Sequence, residues 1–291
     1  MTNKLEEVKN ERLKFIVLSD LHLVSEGSTS KTLDTAERLS IGIKTINSRH
    51  SDADFCILAG DLADSGKRDV YLRLKEILGE LLIPYHITIG NHDNRKEFIK
   101  VFGANLISET GYIDKVIDKK GYRVILIDSA ETEAAGYNAG TYQGNGELSS
   151  IQLDWLKDRL IEVPGCPIII VLHHHANPLH TRVDRIILNN GEELVRVLKN
   201  HKDIRQVIAG HVHYTSTSIW HGIPFTTLAG GHYNVTIPLE QENPEVDRLS
   251  GPAQMAVVLG NKDQTLIHFD NYIDGNSIIK PENKTCRNNH I

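Results

Sequence analysis

Short apolar runs alternate with longer amphipathic stretches over roughly the first two thirds of the chain. LKFIVLS (13–19), DFCILAG (54–60), PYHITIG (84–90), YRVILIDS (122–129), CPIIIVLHH (166–174) and IRQVIAG (204–210) are short and end at turn residues. Runs of that length, apolar to both sides, predict buried strands. Between them the spacing becomes helical. Leu33, Ala36, Leu39, Ile43 and Ile46 form one stripe of 33–46, and Leu74, Ile77, Leu78 and Leu81 one stripe of 70–82. IQLDWLKDRLIEV (151–163) and GEELVRVLKNH (191–201) are predicted helices too, with Ser149 or Ser150 as the cap of the former. From about Thr215 the helices stop. STSIWHGIPFTTLA, AQMAVVLG and QTLIHFDNY read as strands, with HGIP and GNKDQ as hairpin turns. Strand–helix alternation followed by hairpins predicts a mixed sheet, or two sheets packed face to face with helices outside. No repeat or boundary divides the chain. Residues 1–274 are expected to form one domain, with strands at 252–272 closing it and a polar tail at 275–291.

Bulk properties narrow the class. The 291 residues are 40% hydrophobic and 24% charged, as in an ordinary globular protein with a sizeable core. A net charge of −6 without a long Lys/Arg run argues against a nucleic-acid partner. Cys56, Cys166 and Cys286 have no metal-finger spacing and fit a reducing compartment. The charged N-terminus lacks the apolar stretch of a signal peptide, and no apolar run approaches the ~18 residues of a membrane span. A cytoplasmic location is the resulting expectation. The informative excess is histidine, 15 residues, in clusters.

Those clusters sit at strand ends. Strand by strand the endings are Ser19-Asp20-Leu21-His22, Gly60-Asp61-Leu62-Ala63-Asp64, Gly90-Asn91-His92-Asp93, His173-His174-His175 and Gly210-His211-Val212-His213. Open α/β sheets bind ligands outside the carboxyl ends of their strands, so five segments deliver Asp, Asn and His to one edge. In an extended segment, positions i and i+2 face the same side, which would let Asp20 with His22, and His211 with His213, reach one ion. Carboxylate, amide and imidazole donors suit Mn²⁺, Fe or Zn²⁺. The donors are too many for one tetrahedral ion and suit two ions about 3.5–4 Å apart, clamped by a shared carboxylate.

The ordered set DLH, GDLAD, GNHD, LHHH, GHVH resembles the calcineurin-like metallophosphoesterases over residues 13–231. GDLADSGKRDVYLRLKEIL and IAGHVHYTSTSIWHGIPF make it similar to the branch of class III cyclic-nucleotide phosphodiesterases and glycerophosphodiesterases. The resemblance implies a four-layer α/β/β/α sandwich of two mixed sheets flanked by helices, with two divalent metal ions (Mn²⁺, Fe²⁺/Fe³⁺ or Zn²⁺) at one end. It implies that Asp20, His22 and His213 hold one metal, that Asp61 bridges, and that Asn91, His211 and one LHHH histidine hold the other. Relatives often read His-His-Pro-Pro at the triplet. Aligning Ala176 with the first proline selects His174, the preferred choice, and sliding by one selects His173.

His92 should leave the metals to its neighbour Asn91 and face substrate, stabilising phosphate charge or protonating the leaving alkoxide. The competing reading is a packing histidine held by Asp64 or Asp93. Asp64 is a candidate to orient a ligand histidine, and His232 a candidate for the pocket wall. Arg95 reads as a solvated helix-start arginine, the 131–147 loop as a mobile rim, and His180 and Arg182 as loop residues for which a place on the pocket rim is the lesser option. The implied reaction is hydrolysis of a small phosphodiester, a 3',5'-cyclic nucleotide or a glycerophosphodiester, by a metal-activated hydroxide. A phosphomonoesterase and a non-catalytic metal-binding scaffold are the alternatives. A homodimer through the late strands is compatible with the pattern.

Overall fold

The computed structural model describes residues 12–130, 144–237, 239 and 246–274. The N-terminal stretch, most of the 131–147 loop and the polar tail lie outside the described residues. The first strand, β1 (Leu13–Leu18), shows how the layers arise. Leu13, Phe15 and Val17 project to one side, and Ile16 and Leu18 to the other, and all are buried. A strand buried on both faces needs a layer on each side of it.

One layer is a second sheet. β1 pairs in parallel with β2 (Phe55–Ala59), which pairs with β3 (Tyr85–Thr88). On its other edge β1 runs antiparallel to β12 (Ala253–Gly260), which pairs with β13 (Thr265–Ile273). The second sheet takes the order β4 (Lys115–Lys119), β5 (Tyr122–Ile127), β6 (Ile168–Leu172), β7 (Ile204–Ala209), β9 (Ile223–Thr227), β8 (Ser216–Trp220). A third, two-stranded ladder joins β10 (Asn234–Val235) to β11 (Arg248–Leu249). Phe15, Val17, Phe55, Ile57 and Ala256 of the first large sheet pack on Val124, Leu126, Ile169, Val171 and Ile208 of the second.

Helices form the outer layers. On one side, Ile16, Leu18, Cys56 and Leu58 meet α1 (Thr35–Arg49), α2 (Arg68–Leu78) and α3 (Arg95–Phe102) through Leu39, Ile43, Tyr71, Leu74 and Phe98. On the other, Ile168, Ile170, Leu172 and Val207 meet α4 (Ser150–Ile161) and α5 (Gly191–Leu198) through Leu156, Leu160, Leu194 and Leu198. This is the expected α/β/β/α sandwich of two mixed sheets. Of the two candidate caps, Ser149 begins α4, in a capping box with Gln152. Asp34 caps α1 and Asn94 caps α3. Among the described residues no helix is long and apolar enough to cross a membrane.

Candidate metal centre

The ends of β1, β2, β6 and β7, and the turn after β3, meet at one edge of the sandwich. Asp20, His22, Asp61, His211 and His213 all adopt the left-handed backbone, with φ between 43° and 74°. Non-glycine residues pay for that conformation, and such strain concentrates at functional sites. It also corrects one expectation: the Asp20/His22 and His211/His213 pairs converge through sharp turns, not through the alternation of an extended strand. The turns are held by Asp20 N–H donating to Gly60 O (3.1 Å) and His22 N–H to Asp61 O (2.9 Å). Glycine matters at two approaches. A Cβ on Gly90 would stand 2.3 Å from Asp61 Oδ1, and one on Gly210 would stand 1.9 Å from Ser19 Oγ.

Two groups of donors result. In the first, His213 Nε2 lies 3.3 Å from His22 Nε2 and 3.6 Å from Asp20 Oδ1. In the second, His173 Nε2 lies 3.2 Å from His211 Nδ1 and 3.2 Å from Asn91 Oδ1. Asp61 stands between them, its Oδ2 3.5 Å from His22 Nε2 and 3.3 Å from His173 Nε2. Among the described residues, Asp20–His22–His213, Asp20–Asp61–His173, His173–His174–His211 and His22–Asp64–His92 each bring three donor atoms within 4.8 Å of one another, so His174 as well as His173 stands within reach of the second group.

The outward nitrogens decide the tautomers. His173 Nδ1 donates to Ala59 O (2.9 Å), His211 Nε2 to Ile186 O (2.9 Å) and His213 Nδ1 to Tyr233 O (2.7 Å). A carbonyl only accepts, so each of those nitrogens carries the hydrogen, and a neutral ring turns its lone pair inward. Two inward lone pairs at 3.2 Å repel unless a ring takes a second proton or a cation lies between them. The donor set therefore fits a pair of divalent ions, with the orienting bonds that metal-binding imidazoles require. Asp64 Oδ1 faces His22 Nδ1 at 3.3 Å, off the line of a full hydrogen bond. Burial opposes ionisation of Asp61, but His173, His92 and His22 hold its carboxyl well below the usual range. Burial likewise works against the His173 cation, and Asp61 outweighs it, raising that imidazole to about 9.

The triplet is divided by the layers. Ile169 and Val171 face the other sheet, and His173 continues that row into the site. His174 turns the opposite way: its Nδ1 lies 2.8 Å from Ser129 Oγ, while its ring stands 4.7 Å from that of His211. The alignment preference for His174 thus meets a geometry in which His173 faces Asp61 and Asn91. His175 is fully buried and faces Asp184 at 3.6 Å.

The remaining candidates fall around this centre. His92 is partly buried beside His22, with ring centroids 4.6 Å apart. Its backbone N–H donates to Asp61 Oδ1 (2.9 Å) and its Nδ1 to Asp64 O (3.0 Å), which places the basic nitrogen of a neutral ring at Nε2. His232 is buried, its Nε2 bonded to Ser30 O and its ring 5.1 Å from that of His22, so it packs behind a donor instead of lining an open wall. Arg95 is not a solvated arginine: it makes a two-bond pair with buried Asp128 (2.8 and 2.9 Å) and donates to Ala130 O. His180 and Arg182 are exposed. Sequence reasoning missed the main task of Asp93. Its carboxylate accepts from Gly90, Leu62 and Ala63 N–H and from Tyr71 O–H, tying two donor-bearing turns together. The only available signal was its place after GNH.

Comparison with known proteins follows the same lines. A family model described as calcineurin-like phosphoesterase matches residues 13–215. A probable cyclic nucleotide phosphodiesterase of Rhodopseudomonas palustris is 30% identical over 259 residues, 88% of this chain and 91% of its own. A probable glycerophosphodiester phosphodiesterase of Arcobacter nitrofigilis is 25% identical over 264 residues, 89% of this chain and 92% of its own. A solved dimetal phosphatase from Danio rerio has the same fold, with a TM-score of 0.68 at 18% identity, covering 90% of this chain and 97% of that one.

Proposed function

Because the chain belongs to the calcineurin-like phosphoesterase family, we propose that it is a di-metal phosphodiesterase acting on small phosphodiesters, with 3',5'-cyclic nucleotides first and glycerophosphodiesters second. The observation that carries this reading is the pair of donor groups sharing Asp61, with inward imidazole nitrogens opposed at 3.2 and 3.3 Å. Both relatives described above carry diesterase names and align over most of their length.

Asp20, His22 and His213 would hold one ion, Asn91, His173 and His211 the other, and Asp61 both. With oxygen, amide and imidazole donors and no thiolate, the set suits Mn²⁺, Fe²⁺ or Zn²⁺. Such a metal pair supplies Lewis acidity at a phosphoryl oxygen and a hydroxide nucleophile at neutral pH. The protein fixes the rest. Carbonyls of Ala59, Ile186 and Tyr233 aim three imidazoles. The carbonyl of Asp64 aims His92, and its carboxylate stands 3.3 Å from His22 Nδ1. With its proton anchored on Nδ1, a neutral His92 offers Nε2 to the substrate's phosphate side. In the imidazolium form the same nitrogen hands a proton to the leaving alkoxide.

A substrate panel tests the reading. Protein loaded with Mn²⁺ is expected to hydrolyse cAMP, cGMP or glycerophosphocholine with a kcat/KM above that for the matching monoester. Asp61→Ala should lose bound metal and turnover together. A monoester preferred over its diester across the panel would overturn the diesterase assignment.

A further inference from the structure

The short ladder of β10 and β11 carries a charged group toward the first set of donors. It is anchored on their turn: Val235 N–H donates to His213 O (3.1 Å), and His213 Nδ1 donates to Tyr233 O (2.7 Å). Thr236 N–H donates to Asp247 O (3.1 Å) and Asp247 N–H to Thr236 Oγ1 (3.1 Å), which fixes the returning strand. Register then places Arg248 directly across from Val235. Cross-strand partners share a face, and so do positions two apart along one strand. Tyr233, Val235 and Arg248 therefore project to one side of the ladder.

That side is turned to the metal centre. The Tyr233 ring lies nearly parallel to that of His213, with centroids 4.3 Å apart and 8° between the planes. Its centroid is 6.3 Å from that of His22. The Arg248 guanidinium carbon stands 5.4 Å from the same Tyr233 centroid. Burial raises the Tyr233 phenol, Arg248 opposes that through a hydrogen bond and its charge, and Asp20 and Asp61 reinforce it. The hydroxyl thus lies within the field of the donor carboxylates. A chain of ring contacts runs from His92 through His22 and His213 to Tyr233, and Arg248 ends it.

An exposed arginine ordinarily ranges through water and keeps its rotamer freedom. Arg248 is exposed, yet it is laid on a ring that is itself stacked on a donor imidazole. The ring face attracts a guanidinium at that distance. Among the described residues no carboxylate forms an ion pair with it. Its planar fork therefore has N–H groups to spare, in the geometry that suits the oxygens of a phosphate.

Building on the diesterase reading, we propose that Arg248 is a substrate-binding residue, its guanidinium mounted on Tyr233 and donating to a phosphoryl oxygen of the diester held at the donor groups. Tyr233 is the positioning residue that aims it. The competing role for this arginine is a brace for the stack of Tyr233 on His213. The two roles differ in what their loss loosens: a lost brace loosens the first ion, whereas a lost grip loosens the anion.

Inorganic phosphate titrated calorimetrically into Mn²⁺-loaded protein separates them. Arg248→Met is expected to raise the phosphate Kd about tenfold, the scale of one charge-assisted hydrogen bond, with Mn²⁺ content unchanged by mass spectrometry. Arg248→Lys should recover part of the loss, because it restores the charge without the fork. Tyr233→Phe keeps the ring stack and the carbonyl that holds His213, and should raise Kd by less than Arg248→Met. For a diester that the wild type hydrolyses, KM should rise in step with the phosphate Kd, by a larger factor than kcat falls. An unchanged phosphate Kd in Arg248→Met would refute the assignment. So would Mn²⁺ loss from that variant with normal phosphate binding once it is reloaded, or a wild type that binds no phosphate. Failure of every diester in the panel would strike the diesterase reading alone, since phosphate binding is measured without turnover.

Discussion

Ile169 and Val171 of β6 lie between the two sheets, and His173 extends their row, whereas His174 extends the row of Ile170 and Leu172 beneath the helices. The segment IIIVL is apolar throughout, so sequence alone gives no phase for the triplet; packing does. A histidine leaving the inner face reaches Asp61 and Asn91, and one leaving the outer face bonds Ser129 through Nδ1 while its ring stays beside His211. His173→Ala is therefore expected to lose about half the bound metal of a two-metal site, measured by mass spectrometry, with activity falling alongside. His174→Ala should keep its metal and lose stability instead, by about 1–3 kcal/mol, since a buried ring and its bond to Ser129 are removed. Full metal retention in His173→Ala with loss in His174→Ala would exchange the two roles. The other donors were legible because Asp20, His22, Asp61, Asn91, His211 and His213 stand in short motifs at strand ends. Asp93 was not, because a carboxylate that clamps backbone turns leaves no spacing signature.

Elements with a buried face were readable and exposed edges were not. β1, β2 and β6 are apolar on both sides, and their spans match the sequence pattern within two residues at either end. The pattern missed β4, an edge strand whose sequence KVIDK is largely exposed. For α3 it gave a helix start at Arg95 and no apolar stripe, since the buried contribution is Phe98 and Val101 alone. At the facing edge of the other sheet, β3 carries a less obvious feature. His86 packs edge-on against Phe55 at 5.4 Å, and its Nδ1 is buried without a partner. Burial first, and Lys115 second, lower its imidazole to about 4. A histidine with a folded pKa below its unfolded value of about 6.5 takes up its proton more readily when unfolded. Its contribution is intact above pH ~6.5 and is lost as pH falls toward about 4, with a size reduced by the ring's partial exposure. Denaturant midpoints of the wild type should consequently fall more between pH 7 and 4.5 than those of His86→Phe. Parallel falls would show that His86 does not sense pH in this way. Because the metal-centre groups are common to both proteins, their own titration cancels in the comparison.

The donors come from both large sheets. Asp20, His22, Asp61 and Asn91 follow β1, β2 and β3, whereas His173, His211 and His213 follow β6 and β7. That both sheets contribute was not visible in the chain order, because β12 inserts antiparallel beside β1 through contacts that span most of the sequence. A metal pair bound here would tie the two sheets together at one edge, while at the opposite edge side chains already join them, Lys120 pairing with Asp54 at 2.9 Å and Tyr122 O–H donating to Asn261 O at 2.7 Å. Binding to the native state adds RT ln(1 + [L]/Kd), about 2.7 kcal/mol at a free metal concentration a hundredfold above Kd. Chelation should thus lower Tm, and the loss should be local before it is global. Amides of Asp20, His22, Gly210 and His211, whose partners are Gly60, Asp61, His173 and Asp20, are expected to exchange faster with solvent after metal removal. Amides of Asp54 and Ile168, bonded to Lys14 and Asp203 at the far ends of their strands, should keep their protection. If chelation sped exchange equally at both ends, the metal would be stabilising the whole sandwich, not fastening one edge of it. If it changed neither, the turns would owe their left-handed geometry to Asp93 and the glycines without help from a bound ion.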